Sequence, residues 1–354
     1  MEAKPLPAPP DETSSFYIQA TDSIQERWPR TLKSGDMFGL FDALGDVIEP
    51  RNSPGGLFYH DTRHLSGLEF LVDGQRPVLL SSAVENDNVV LTVDLSNPDI
   101  YEHGKIVMPR EILHVRRSKF LWRGTAYERF AIHNFDTRGH RCILTFNFAA
   151  DFCDLFEIRG MQRARRGKVT PRVEDDRLTF HYQGLDGIAR ITDIHLDPQP
   201  DRLSERQAAY ALDLKAGEQR AIILTVRCGD GNPQTAKFSD PYRAARRAAQ
   251  KASRLGGTVA SSNALANRML HRAGADLSML ITETDEGPYP YAGTPWFSTP
   301  FGRDGLITAL QMLWIDPSLA QGVLRYLAST QATETDPRAD AEPGKILHET
   351  RACE

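Results

Sequence analysis

The sequence predicts an α+β multidomain protein in which an antiparallel β-sandwich is followed by helical hairpins. Three observations carry this expectation. From about residue 16 to residue 228, short runs of alternating apolar and polar residues are separated by turns. Beyond Gly231 the pattern changes to alanine-rich segments and four-residue apolar spacing. The length, 354 residues, exceeds one ordinary core and suits about two domains.

Residues 1–15 are proline-rich and are expected to be disordered. Residues 16–235 form the expected sandwich domain. In "LEFLVDGQRPVLLSS" the pair Asp73-Gly74 separates two apolar segments, a hairpin signal. "NVVLTVDLSN" alternates Val89, Leu91, Val93 and Leu95 with Thr92 and Asp94, and "CILTFNFAADF" alternates Leu144, Phe146 and Phe148 with Thr145 and Asn147. "YALDLKAGEQRAIILTV" reads as two strands around the turn at Ala216-Gly217.

Residues 236–260 read as a linker helix, with Asp240 as N-cap and Pro241 at the first helical position. Its five basic residues fit a solvated face. With a net charge of -5, no global basic field favours nucleic acid. Residues 261–354 begin a helical domain. Leu265, Met269, Ala273, Leu277 and Ile281 recur every fourth residue and form one apolar stripe. A long loop is expected from Glu286 to Arg303, then helices near 305–314 and 317–330, the second opened by Asp316-Pro317. So few helices leave apolar faces without partners, and association through them is expected.

Charged residues at 25% and hydrophobic ones at 40% are ordinary for a soluble protein. Cys142, Cys153, Cys228 and Cys353 are widely spaced, which argues against a zinc site or a disulfide framework and fits a reducing cytoplasm. The N-terminus lacks a basic-then-apolar signal, and no apolar run is long enough to imply a membrane span.

The stretch "YAGTPWFSTPFGRDGLITALQ" raises the question of a site. Arg303 and Asp304 stand together where the sequence turns helical. Asp304 can cap a helix starting at Gly305 and pair with Arg303, and spacing alone favours that reading. The same pair also offers donors and acceptors for vicinal hydroxyls, and Trp296 and Phe297 offer flat faces against which sugar rings stack. Bond cleavage in a glycoside needs two carboxyl groups. No acidic pair in the helical part has diagnostic spacing. Glu349, beside His348 in "GKILHETR", reads equally as a site-loop residue or an exposed glutamate.

In "HDTRH", His60, Thr62 and His64 would share one face of a strand, but no third ligand is evident, so a polar turn or strand edge is expected and no metal. GxSxG, GxxxxGK[ST], HExxH and GxGxxG are absent, and no cofactor is expected.

"AGTPWFSTPFGRDGLITALQ" with "EPGKILHE" resembles the start of the catalytic domain of bacterial amylo-α-1,6-glucosidase-like, glycogen-debranching-type proteins. "GLFYHDTRHLSGLEFLVDG", "LTVDLSNPD" and "NFAADFCDLFEIRG" resemble their N-terminal domain, and the likeness runs over about residues 35–351. It implies a β-sandwich followed by the first helices of an incomplete (α/α)6 toroid. It also implies hydrolysis of α-glucosidic bonds by an inverting, two-carboxylate mechanism. The resemblance carries a hydroxyl-gripping role onto Arg303 and Asp304, makes Trp296 a stacking wall, and maps Glu349 onto a family glutamate. It puts the acid and base carboxylates on later hairpins, beyond residue 354. Cys353 stands where the family has glycine, and the expectation is an N-terminal fragment with little activity alone. The alternative is a non-catalytic carbohydrate-binding or accessory sandwich module.

Overall fold

Alternating burial makes the strands. Along Val90–Ser96, Val93 and Leu95 are buried while Thr92 and Asp94 between them are partly exposed. The computed structural model describes residues 29–48, 54–229, 237–255, 259–337, 339–352 and 354. The expectations placed on residues 1–28 and on Cys353 lie outside the described residues.

Strands β1 (Arg30–Ser34), β2 (Met37–Phe41), β3 (Gly56–Tyr59) and β4 (Thr62–Leu65) form a four-stranded sheet in sequence order. Next come β5 (Gly67–Val72), β6 (Val78–Val84), β7 (Val90–Ser96), the short hairpin β8 (Ile100–Glu102) and β9 (Lys105–Met108), β10 (Leu113–Trp122), β11 (Thr125–Asn134) and β12 (His140–Ala149). One turn of helix, α1 (Leu155–Ile158), precedes β13 (Lys168–Glu174), β14 (Arg177–Gln183), β15 (Ala189–Asp197), β16 (Arg202–Leu203), β17 (Gln207–Leu214) and β18 (Gln219–Cys228).

The sandwich consists of an eight-stranded sheet, β13-β14-β15-β18-β11-β10-β7-β6, over a four-stranded one, β16-β17-β12-β5. Phe70 and Phe146 from the smaller sheet meet Phe130 from the larger, with ring centroids 5.1 and 4.9 Å away. These rings anchor the main core.

The turn at Asp73-Gly74 exists, with φ of 46° and 75°, but it does not make the expected hairpin. β5 pairs with β12 and β6 pairs with β7, so the turn carries the chain from one layer to the other. Pro77, just before β6, has no N–H with which to continue a ladder beside β5. The turn at Ala216-Gly217 likewise joins β17 in one sheet to β18 in the other.

Beyond the sandwich lie α2 (Ser239–Leu255), α3 (Ala264–Leu280), the hairpin β19 (Ile281–Thr284) with β20 (Gly287–Pro290), α4 (Gly302–Met312) and α5 (Pro317–Ser329). Asp240 sits inside the first turn of α2 and is not its N-cap, because the helix begins at Ser239. Asp316 does cap α5, accepting from the Ser318 N–H at 3.0 Å, with Pro317 in the first position.

The stretch from Glu286 to Arg303 is not one unstructured loop. Gly287, at φ 117°, allows the turn into β20, and Thr284 Oγ1 donates to its carbonyl at 2.8 Å. Tyr289 and Tyr291 of this hairpin share a core with Ala309 of α4 and with Val323 and Leu327 of α5.

Helix α2 covers part of the eight-stranded sheet, where Tyr242 and Phe238 meet the Phe120 ring. None of the residues of α3 is buried, and its Leu265 and Met269 are exposed. Leu310 and Trp314 are exposed as well. The described helices after the sandwich, α2 to α5, are too few to close an (α/α)6 ring. Among the described residues, no helix is long and apolar enough to cross a membrane.

Candidate functional site

Helix α4 begins against the C-terminal segment. Gly302 N donates to His348 O at 3.0 Å, Thr350 N donates to Pro300 O at 3.2 Å, and Phe301 bridges Glu349 as a strand would. This backbone ladder brings "FGRDG" and "LHETR" together, 46 residues apart in sequence. Tyr289 Oη donates to Phe301 O at 2.9 Å, and Gly305 packs so tightly on the Tyr289 ring that a Cβ would collide with it. The first turn of α4 is thereby fixed from both sides.

On that fixed turn Arg303 is exposed and Asp304 half-buried. The cap-and-salt-bridge reading fails. The N-cap is Phe301, which has no side-chain cap bond, and the helix starts at Gly302 rather than Gly305. Neither the Arg303 guanidinium nor the Asp304 carboxylate has a hydrogen-bond or ion-pair partner among the described residues. Both are open to a ligand.

The two aromatics behave differently. Trp296 is half-buried against the cluster of Phe38, Leu40, Phe58, Leu155 and Ile158, with the Arg159 guanidinium 5.7 Å from its ring. Phe297 is exposed, its ring at 5.7 Å edge-on to Phe301. Of the pair, Phe297 offers the freer face. Ser298 Oγ beside it is buried without a hydrogen-bond partner among the described residues.

Glu349 is half-buried. Its Oε2 accepts from Arg351 Nε at 2.9 Å and lies 2.6 Å from Arg351 Nη2. Arg351 was not legible as a site residue, yet it is the hub. Nη1 donates to Asp61 Oδ1 at 3.0 Å and Nη2 to Trp296 O at 2.8 Å. The guanidinium also lies 5.5 Å from the Phe301 ring and 5.6 Å from Phe156. One available signal was the alternation of Glu349 and Arg351, which puts both on one side of an extended segment.

Asp61 belongs to "HDTRH". The structure makes this a turn between β3 and β4, with His60 and Asp61 at φ 46° and 62°. His60, Thr62 and His64 therefore do not line one strand face. His64 is buried, and no group of metal-binding side chains occurs among the described residues. Asp61 is buried, accepts from Ala352 N at 3.2 Å, and through its own carbonyl from Leu155 N at 3.1 Å. Burial raises its carboxyl above the usual range, opposed by the Ala352 N–H and by Arg351.

The free cysteines Cys142, Cys153 and Cys228 supply no nucleophile here, although Cys153 packs against the cluster behind Trp296. Burial pushes the thiols of Cys142 and Cys153 up to about 12, well away from a reactive thiolate.

The arrangement is thus a junction where a sandwich turn, an aromatic loop, a helix start and the C-terminal segment meet. It presents one free cation, one free carboxylate and an exposed ring, which suits a polyhydroxylated ligand. Residues 32–225, more than half the chain, match the family described as the N-terminal domain of (some) glycogen debranching enzymes. No curated protein matches the sequence.

In fold, the chain is similar to a protein from the human microbiome described as a candidate kojibiose phosphorylase (TM-score 0.59, 9% identity, 85% of this chain and 46% of that chain). A bacterial glucoamylase solved with acarbose also aligns (TM-score 0.47, 9% identity, 86% of this chain and 51% of that chain). The chain spans about half the length of these solved structures.

Proposed function

The chain belongs to the family defined by the N-terminal domain of (some) glycogen debranching enzymes, and from that premise we propose that it serves a glycoside hydrolase acting on α-glucosidic bonds in glycogen-like or related oligosaccharides. The observation that carries this reading is the first turn of α4. Arg303 and Asp304 stand side by side on an anchored turn, and neither side chain has a hydrogen-bond or ion-pair partner among the described residues. A guanidinium and a carboxylate at adjacent positions bind the alternating donors and acceptors of sugar hydroxyls. Phe297 supplies the exposed apolar face, and Trp296 stiffens the loop behind it.

The chemistry follows an inverting scheme. One carboxylic acid protonates the glycosidic oxygen while a second carboxylate draws a proton from water on the opposite face of the sugar. Glu349 is occupied by Arg351 through Oε2 and acts as a fixed hydroxyl acceptor or a brace for the loop. The acid and base are assigned to other carboxylates, on further helical hairpins, and this chain alone hydrolyses α-glucosides weakly or not at all.

Glycines 302 and 305 lie on the turn itself, so selective ¹⁵N-glycine labelling reports on it directly. Maltotriose or isomaltose is expected to shift both amide signals in the wild-type chain and to leave them unmoved in Asp304→Ala. Absent shifts in wild type, or equal shifts in Asp304→Ala, would overturn the reading. Rapid release of glucose by the purified chain would overturn the assignment of the acid and base elsewhere.

A further inference from the structure

A second feature lies on the outward face of the eight-stranded sheet, away from α4. Helix α2 covers the end of this face near Phe120 and Tyr127. The opposite end, where β6, β7, β10 and β11 run side by side, is open. An open cavity of about 400 Å³ occupies it, lined by Leu80, Ser96, Glu111, Leu113, His114 and Phe135. That volume falls within the roughly 300–1,000 Å³ usual for small-molecule sites.

The lining is built by strand register. Ser96, His114 and His133 are direct cross-strand neighbours, and so are Asp94 and Arg116 one row on. Asp94 lies beside the lining and holds His114 in place. Its Oδ1 pairs with His114 Nε2 at 2.9 Å, and its Oδ2 accepts from Ser81 Oγ at 3.0 Å. The polar lining residues are Ser96, whose Oγ donates to Leu113 O at 2.9 Å, the His114 imidazole and the Glu111 carboxylate at the rim.

The apolar platform is Phe135, whose side chain is 64% exposed. The ring is held rather than loose. His133 packs against it at 3.9 Å, and Phe135 N donates to Ile112 O at 2.8 Å. The facing loop is equally fixed. The wholly buried Asn97 accepts from Ile112 N and Leu113 N through Oδ1 and donates to Pro98 O and Pro109 O through Nδ2. Glu111 is held at φ 65°, a conformation that non-glycine residues seldom adopt, and is exposed at the rim. Across the cavity a bulge in β6 between Leu79 and Ser81 accommodates Leu80, which is 55% exposed.

We infer that this open half of the sheet face is a second carbohydrate-binding site, in which a short run of glucosyl units of an α-glucan lies on the Phe135 ring over the Asp94–His114 floor. The glucan identity of the ligand rests on the function proposed above. A neutral polyol explains the combination better than an anion or a cation does. Two carboxylates, Asp94 and Glu111, are matched by two guanidiniums, Arg116 and Arg110, each 4.0 Å from its carboxylate, beside the imidazoles and a preorganised ring. A site there tethers the chain to a branched polymer while the turn at Arg303 and Asp304 handles a chain end.

The test is affinity electrophoresis of the full chain through gels containing glycogen or amylopectin. Wild type is expected to be retarded, Phe135→Ala to need about fivefold more polysaccharide for the same retardation, and His114→Ala to be weakened as well. Unchanged retardation in Phe135→Ala, or no retardation of wild type, would overturn the second site.

The glycine amide shifts at positions 302 and 305 read the other site independently, so each proposal can fail without the other. Light scattering closes the remaining route. If wild type self-associates and Phe135→Ala does not, a second copy of the chain covers this face and the inference falls.

Discussion

Arg351 and Asp61 are 290 residues apart in sequence, yet Arg351 Nη1 donates to Asp61 Oδ1 at 3.0 Å. Their side chains are only 12% and 4% exposed. This pair ties the C-terminal segment to the β3–β4 turn of the sandwich. A buried pair is weak evidence of net stabilisation, but losing one partner leaves an uncompensated buried charge.

Arg351→Met is therefore expected to destabilise the protein by about 2–4 kcal/mol. Asp61→Asn should cost less, because Arg351 keeps Glu349 as a partner. The double variant should recover part of the Arg351→Met loss, since no charge is then stranded. Urea denaturation of the three variants measures the cycle. Limited proteolysis should cut the segment after Gly344 faster in Arg351→Met. Equal stability of Arg351→Met and wild type would show that the pair is solvated.

The two acidic residues near helix starts should behave oppositely. Asp316 caps α5, so Asp316→Ala is expected to lose about 1 kcal/mol. Asp304 makes no cap bond, so Asp304→Ala should stay within about 0.5 kcal/mol of wild type. Thermal melting of the two variants decides this. A large loss in Asp304→Ala would mean that the residue is structural after all.

Gly322 of α5 packs directly on the backbone of Pro288, and a Cβ there would collide with the Pro288 carbonyl. Alanine would normally gain about 1 kcal/mol in a helix interior. Here it is expected to lose roughly 1–3 kcal/mol, because backbone cannot move aside as a side-chain tip can. A stabilised Gly322→Ala variant would mean that α5 slides easily over the β19–β20 hairpin.

These relationships mark where sequence reasoning succeeds and where it stops. Period-two alternation identified the strand at Val90–Ser96, and Asp316-Pro317 marked the start of α5, because both signals are local. Asp73-Gly74 marked a turn, but nothing local says which sheet the next strand joins. Arg303 and Asp304 stood out by adjacency, yet their freedom from a cap depended on where α4 begins, and helix ends are hard to read to the residue. The ion pair of Arg351 with Asp61 was invisible because long-range packing alone brings the two together. The cavity beside Phe135 was equally hidden, being assembled from three neighbouring strands and the loops at their ends.

The last expectation concerns acid. His64 is buried between Tyr59 and Phe152, with ring centroids at 6.0 and 5.3 Å. Its Nδ1 lies 3.1 Å from both Ile191 O and Thr192 Oγ1, and Thr192 Oγ1 donates to the His64 carbonyl at 2.9 Å. A carbonyl can only accept, so Nδ1 carries the proton. Burial pushes the imidazole down to about 3, with the Ile191 carbonyl opposing and the Arg190 and His60 charges assisting.

In the unfolded chain the same group titrates near 6.5. Between those values the unfolded state binds a proton that the folded state refuses. The contribution is therefore fully present above about pH 6.5 and is lost as the pH falls towards 3, at up to about 1.4 kcal/mol per pH unit. Asp46, which burial raises to about 6, acts in the opposite sense between roughly pH 4 and 6. It must be held constant by comparing variants that both retain it. Urea midpoints at pH 7 and pH 4.5 should drop further for wild type than for His64→Gln, which keeps a donor for Ile191 but cannot be protonated. If the two proteins lose stability in parallel, His64 is not the acid-sensitive group.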